Sequence, residues 1–189
     1  MSFDPRTRGF SLIEAVIFIV VMGIGFASIL ALYSNATRAS VDPVVRKQAL
    51  ALASSILEEI ELRGFTFCDP DDTAVFTAAN EAGCTTVEGV GREGAESLAT
   101  RSTLDNVSDY HGLSMAGTGI VNMAGASVSP SGGLNGYAVS VAIANIAANE
   151  LPAVGDVHDA LRITVTATGP AGVSVALQGY RVRYAPNSP

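Results

Sequence analysis

Glu14 is the one charged side chain in the apolar run from Phe10 to Tyr33. At about 1.5 Å per residue, a helix of that length just crosses a bilayer core of roughly 30 Å. A carboxylate inside such a span is costly, by roughly 2.5–3.5 kcal/mol on insertion scales, and calls for a partner. Arg6 and Arg8 precede the run, and basic flanks hold that end on the cytoplasmic side. A secretory signal peptide is cut after its apolar region. Here the better cleavage candidate, Gly9-Phe10, lies before it. Cutting there leaves the helix on the mature chain and creates an amine at Phe10, one helical turn from Glu14. The amine and the carboxylate can then neutralise each other, within one subunit or between neighbours.

Two further groups carry reactive or ligating atoms. Cys68 and Cys84 both follow the apolar run, so a translocated head places them in an oxidising compartment. The expected outcome is a disulfide, worth roughly 3 kcal/mol in the chain-entropy model. Free buried thiols and pairing between subunits are the alternatives. A metal pair is disfavoured because no His is near either cysteine. Asp69, Asp71 and Asp72 sit beside Cys68, and Asp105, Asn106 and Asp109 fall within one short stretch. Hard oxygen ligands at alternate positions can bind Ca²⁺, but neither stretch matches an EF-hand loop. The plainer reading is solvated loop with Asx turns and caps. No metal site is therefore expected, and Asp69, Asp71, Asp105 and Asp109 come nearest to one.

The sequence contains no HExxH, no P-loop and no dinucleotide fingerprint. Gly112-Leu113-Ser114-Met115-Ala116 misses the nucleophile elbow, since the second glycine arrives only at Gly117. His111 and His158 each sit beside acids and read as surface residues. No enzyme activity and no cofactor are expected. The formal charge is −7, and removing residues 1–9 makes the mature chain more acidic still. Such a head is a poor electrostatic match for nucleic acid or an anionic membrane surface. There is no Trp, so a rich aromatic platform for sugars is not apparent.

Arg8-Gly9 followed by Phe10-Ser11-Leu12-Ile13-Glu14 and a long apolar helix resembles the class III signal of type IV pilins and type II secretion pseudopilins. The resemblance implies that a prepilin peptidase cuts after Gly9 and methylates Phe10. It implies that Glu14 guides docking of the subunit into a filament. The implied partners are other major and minor pilins and an inner-membrane assembly platform. The implied location is the bacterial inner membrane, with leader inside and head periplasmic, and then a filament at the cell surface. Residues 105–112, the stretch Tyr137-Ala138-Val139-Ser140-Val141 and Gly179-Tyr180-Arg181-Val182 resemble, in short patches, minor pilins of the mannose-sensitive haemagglutinin type. A secretion pseudopilin and a single-span anchored binding or adhesion module are the alternatives.

The elements that must position these residues follow in order. Residues 1–9 are the leader and 10–33 the membrane and filament-core helix. Residues 34–64 continue it as an amphipathic helix, with Val45, Ala49, Leu52, Ile56 and Ile60 at spacings of three and four and Leu50, Ala53 and Leu57 widening the stripe. Pro43 could begin that helix or kink it. Gly64 reads as its stop, and Glu58-Glu59 as its solvated face. Residues 65–136 are loop-rich and hold both cysteines, with short strands expected near Ala74–Thr77 and Gly119–Ala124. Residues 137–185 read as three antiparallel strands by their period-two alternation. The apolar register shifts at Gln178-Gly179, which predicts a β-bulge. The expected class is α+β, a helix spine packed on a small sheet.

Overall fold

The computed structural model describes residues 11–189, without the side chains of residues 35–42. The leader and the Gly9-Phe10 junction lie outside the described residues. One α-helix, α1, runs Leu12–Glu61 and continues through Pro43. The chain divides into two units, Met1–Val44 and Val45–Pro189.

In the first unit, Leu12–Ser34 is long and apolar enough to span a membrane, with mean hydropathy 2.8 and no part buried by the chain itself. The Ser28 hydroxyl returns its hydrogen bond to the Ile24 carbonyl at 2.9 Å, so this polar group is satisfied within the helix. Nothing lies within 4 Å of the place a Cβ would take at Gly23 or Gly25, leaving both open for close approach.

In the second unit, the helix packs its small stripe into a core with a sheet. Ala49, Ala53, Ile56 and Ile60 are buried, and Val45, Leu52 and Leu57 flank them. Leu50 is exposed and does not widen the stripe. The sheet has four antiparallel strands in sequential order: β1 Ser114–Ala116, β2 Ala138–Asn145, β3 Ala160–Thr168 and β4 Ser174–Val182. Val139, Val141 and Ile143 of β2 and Leu161, Ile163, Val165 and Ala167 of β3 are buried. The arrangement is α+β and pilin-like: a long N-terminal apolar helix and a C-terminal antiparallel sheet. Its fourth strand, β1, is too short to leave a periodic signature.

The β-bulge expected at Gln178-Gly179 is absent. The β3–β4 register runs unbroken from Ala160 opposite Val182 to Thr168 opposite Ser174. Gly179 keeps its inward place, because a Cβ there would lie 3.1 Å from Leu57 Cδ1 and closer still to the Glu61 carboxylate. Tyr180 and Val182 simply face outward on this edge strand. Gly169 serves the same purpose at the other end, where a Cβ would lie 2.8 Å from Val45 Cγ1. Two glycines thus admit the helix at close range.

The loop-rich stretch also corrects several expectations. Residues 74–77 form turns, not a strand. Near Gly119–Ala124 there is a 3₁₀ turn at Gly117–Gly119 and one bridge between Val121 and Ser127. Gly64 is not the helix stop: α1 ends at Glu61, and Gly64 forms a parallel bridge with Asn106. A Cβ at Gly64 would lie 3.1 Å from Pro189 Cα, so it marks a close approach of the C-terminus.

Glu59 does not belong to a solvated face. Its two carboxylate oxygens accept from Nε and Nη2 along one edge of the Arg101 guanidinium, with Nε to Oε1 at 3.1 Å. The Tyr110 hydroxyl donates to the same oxygen at 3.0 Å, and burial pushes that phenol up to about 12. Arg101 is only 4% exposed. Removing one partner strands a buried charge, which typically costs about 3–5 kcal/mol. We therefore expect Glu59→Ala to destabilise the detergent-solubilised full chain by about that much in denaturant unfolding. Joint replacement by Glu59→Leu and Arg101→Met should recover most of the loss, and an equal loss in the double variant would contradict the pairing.

Candidate functional site

Cys68 and Cys84 are joined by a disulfide. With Val75 and Ala78 the buried Cys68 forms a small core of its own, and Asn187 anchors it by donating to the carbonyls of Val75 and Ala78 at 2.7 and 2.9 Å. Asp72 closes the same loop. Its carboxylate accepts the backbone N–H groups of Ala74, Thr85 and Thr86 at 2.9, 2.6 and 2.7 Å. Those bonds, Ala74 foremost, hold Asp72 below the usual carboxylate range. Asp72 is thus a structural cap and is used up.

The neighbouring acids are not used up in this way. Asp69 accepts the Asp71 N–H at 2.7 Å, an Asx turn that sets both carboxylates on one side of the loop. A second stretch, 105–109, is pinned beside it. The Asn106 amide donates to Thr66 Oγ1 at 2.7 Å, and the Thr66 hydroxyl donates to the Cys68 carbonyl at 2.6 Å. The Val107 N–H donates to the Gly64 carbonyl at 3.1 Å. A third stretch, 88–96, closes over them, and the Ser108 hydroxyl donates to Glu88 Oε1 at 2.6 Å.

Three overlapping triads result: Asp69 with Asp71 and Asp105, Glu96 with Asp105 and Asp109, and Glu88 with Glu93 and Asp109. Within each triad one carboxylate oxygen per residue lies within 4.8 Å of the others. Among the described residues no Lys, Arg or His makes an ion pair with any of the seven. Asp109 is fully buried and Glu88 is 4% exposed.

The hydrogen bonding has a repeated form. Asp109 Oδ2 accepts the Asn106 N–H at 2.6 Å, and Glu93 Oε1 accepts the Gly89 N–H at 3.1 Å. With Glu88, each of these side chains is anchored through one oxygen. The other oxygen of each, Asp109 Oδ1, Glu93 Oε2 and Glu88 Oε2, is buried without a hydrogen-bond partner, and so is Asp105 Oδ1. Buried unsatisfied carboxylate oxygens are rare and call for an explanation.

Electrostatics follow from this crowding. Burial, then the like charge of Glu96, pushes Asp105 up to about 6. Burial pushes Glu93 up to about 7, with Glu96 and Asp69 adding to it. Glu96 is raised by the same burial. Glu88 and Asp109 are raised together, chiefly because both are taken out of water.

The sequence candidates Asp69, Asp71, Asp105 and Asp109 therefore lie in one cluster. Glu88, Glu93 and Glu96 were missed, since acids scattered among Gly89, Gly91 and Gly94 carry no local spacing signal. Glu14 lies exposed in the first turn of α1, while Gly9 and Phe10 are outside the described residues. His111 Nδ1 accepts the Ile143 N–H at 3.1 Å, a structural bond. His158 is exposed beside Asp156. An apolar groove of about 630 Å³ separates Leu52 and Ile56 of α1 from Ile120, Val128 and Leu134.

Carboxyls raised in the folded state give stability that is complete below their unfolded value near 4 and is lost as pH rises through the folded value. Asp72 acts oppositely, but only as pH falls below about 4. In chelator, the full chain in detergent should therefore lose unfolding midpoint between pH 5 and pH 7.5, by several degrees. A flat or rising thermal-melt profile across that window would contradict the burial of these acids.

Residues 4–30 match the family model described as the prokaryotic N-terminal methylation motif. No curated protein and no solved structure matches the chain. The matched stretch is a prepilin-type motif, and it supports a type IV pilin-like or pseudopilin-like subunit processed by a prepilin peptidase.

Proposed function

We propose that the chain is a minor type IV pilin, a structural subunit that is assembled into a pilus filament or initiates one. The observation that carries this reading is the methylation motif at residues 4–30, which overlaps Leu12–Ser34, an apolar helix none of which the chain buries. A helix of that kind needs either lipid or neighbouring helices around it, and a filament subunit uses both in turn. In this reading the peptidase cuts between Gly9 and Phe10 and methylates Phe10. The new amine and Glu14 then neutralise each other as the helix leaves the bilayer for the filament core. The leader is cytoplasmic and the disulfide-bonded head periplasmic, then displayed on the filament with other major and minor pilins. The role is structural, without enzymatic activity and without nucleic acid as a partner.

The finer assignment is to the mannose-sensitive haemagglutinin type, nearest its minor pilin D. Residues 105–112 and the patches in β2 and β4 support it. A type II secretion pseudopilin would carry the same motif. Deleting the gene separates the two, since loss of surface pili favours the first and loss of protein export the second.

Intact mass of the protein from its native membrane should correspond to a chain beginning at methylated Phe10. An unprocessed N-terminus would overturn the filament reading and leave an anchored periplasmic module. Glu14→Ala should remain processed and membrane-bound but enter filaments at least about ten-fold less. Normal incorporation in sheared pilus fractions would remove the role given to Glu14.

A further inference from the structure

The seven clustered carboxylates have no place in filament assembly as described above. They are drawn from three stretches that share no regular secondary structure. The chain holds them together at a cost, because like charges in a partly dehydrated site repel and each buried carboxylate loses its water. Hydrophobic burial alone would not leave four carboxylate oxygens of one cluster buried without a hydrogen-bond partner. The anchoring pattern is the informative part. Ser108, Gly89 and Asn106 each fix one oxygen of Glu88, Glu93 and Asp109, and the other oxygen is left buried and unpartnered. A side chain held this way is oriented for a ligand that supplies positive charge.

We propose that this cluster is a Ca²⁺ centre, with Asp105 and Asp109 as the ligands shared between its overlapping triads. The donor set is all hard oxygen, which suits Ca²⁺ or Mg²⁺ and disfavours zinc or copper. Carboxylate number separates the first two. Ca²⁺ takes six to eight oxygens at about 2.3–2.6 Å in flexible geometry, several of them from carboxylates. In each triad one carboxylate oxygen per residue lies within 4.8 Å of the others, close enough to share one ion. Mg²⁺ keeps most of its waters and is usually held by about one or two carboxylates, fewer than this cluster offers. Asp71 lies at the exposed end of the cluster, which gives the ion an entry path, and Asp109 closes the buried end.

The ion would tie the disulfide loop, through Asp69 and Asp71, to the 88–96 and 105–109 stretches. Its effect is to convert mutual repulsion into a cross-link across the loop-rich part of the head. This does not depend on the filament reading, since the site is complete within one chain.

The test uses the full chain in non-ionic detergent, stripped with chelator at neutral pH and titrated with CaCl₂ in a calorimeter, with thermal melts alongside. Saturable heat is expected, together with a rise in melting temperature that an equal concentration of MgCl₂ reproduces poorly. Asp105→Asn with Glu93→Gln should weaken Ca²⁺ binding at least about ten-fold and abolish the calcium-dependent rise. The same pair should raise the melting temperature in chelator, because it removes repulsion, and that rise shows the variant is folded. Asp109→Asn, which keeps the acceptor for the Asn106 N–H, should behave alike. Absence of heat and of any calcium-dependent rise in the wild type would overturn the proposal. So would a calcium response that survives in all three substitutions.

Discussion

The rest of the structure depends on a helix whose apolar surface exceeds what its own chain can cover. Leu12–Ser34 exposes Leu12, Phe18, Val21, Ile24, Phe26 and Leu32 alike, with no partner among the described residues. Each such side chain left in water forgoes roughly 1.5–3 kcal/mol, so the segment is stable only in lipid or among other helices. Cover within the chain begins at Val45, where the second unit begins. The second unit can therefore be a small independent core, while the first is defined by what surrounds it. Glu14 is the charged exception in that first segment, which is why it invites a functional reading.

Within the second unit, two small-residue devices set how closely helix and sheet meet. Ala49 and Ala53 lower the helix surface, and Gly169 and Gly179 lower the sheet at either end. The buried Glu59–Arg101 pair then fixes the helix to the loop region through the Tyr110 hydroxyl and the Val121 carbonyl. Arg183 does the corresponding work on the other flank, lying 4.2 Å from the Phe65 ring centre and 4.9 Å from that of Phe67 while pairing with Glu81. The loop-rich stretch is therefore held by individual polar staples, not by a ladder.

That difference explains what could be read in advance. Periodicity reports residues whose neighbours share one face, so α1 and strands β2 to β4 were legible from Val45, Ile56, Ile60, Val139, Val141, Ile163 and Val165. It misled at Gln178-Gly179, because the inward place on an edge strand can be taken by glycine while tyrosine and valine face outward. It put Glu59 on a solvated face, because the partner that buries it, Arg101, lies far along the chain. The acidic cluster was half legible. Asp69 with Asp71, and Asp105 with Asp109, are visible as local spacings, but their meeting depends on Thr66, Asn106 and the Gly64 bridge. Glu88, Glu93 and Glu96 have no spacing to read.

The cluster concentrates what the rest of the head mostly avoids. Elsewhere Arg101 is matched by Glu59, Asp72 by three backbone N–H groups and Asn187 by two carbonyls, and the buried side-chain nitrogens left without a hydrogen bond among the described residues are Arg181 Nε and Arg183 Nε. Four carboxylate oxygens left without one in a single place call for their own explanation. Protonation alone relieves part of the conflict, since it removes charge and lets Asp109 and Glu88 share a proton. A divalent cation relieves all of it at once. It cancels charge, accepts several oxygens together and needs no donor geometry from the protein. The disulfide and the cluster then act on the same loops, one closing Cys68 to Cys84 and the other joining that closed loop to the two stretches that follow it.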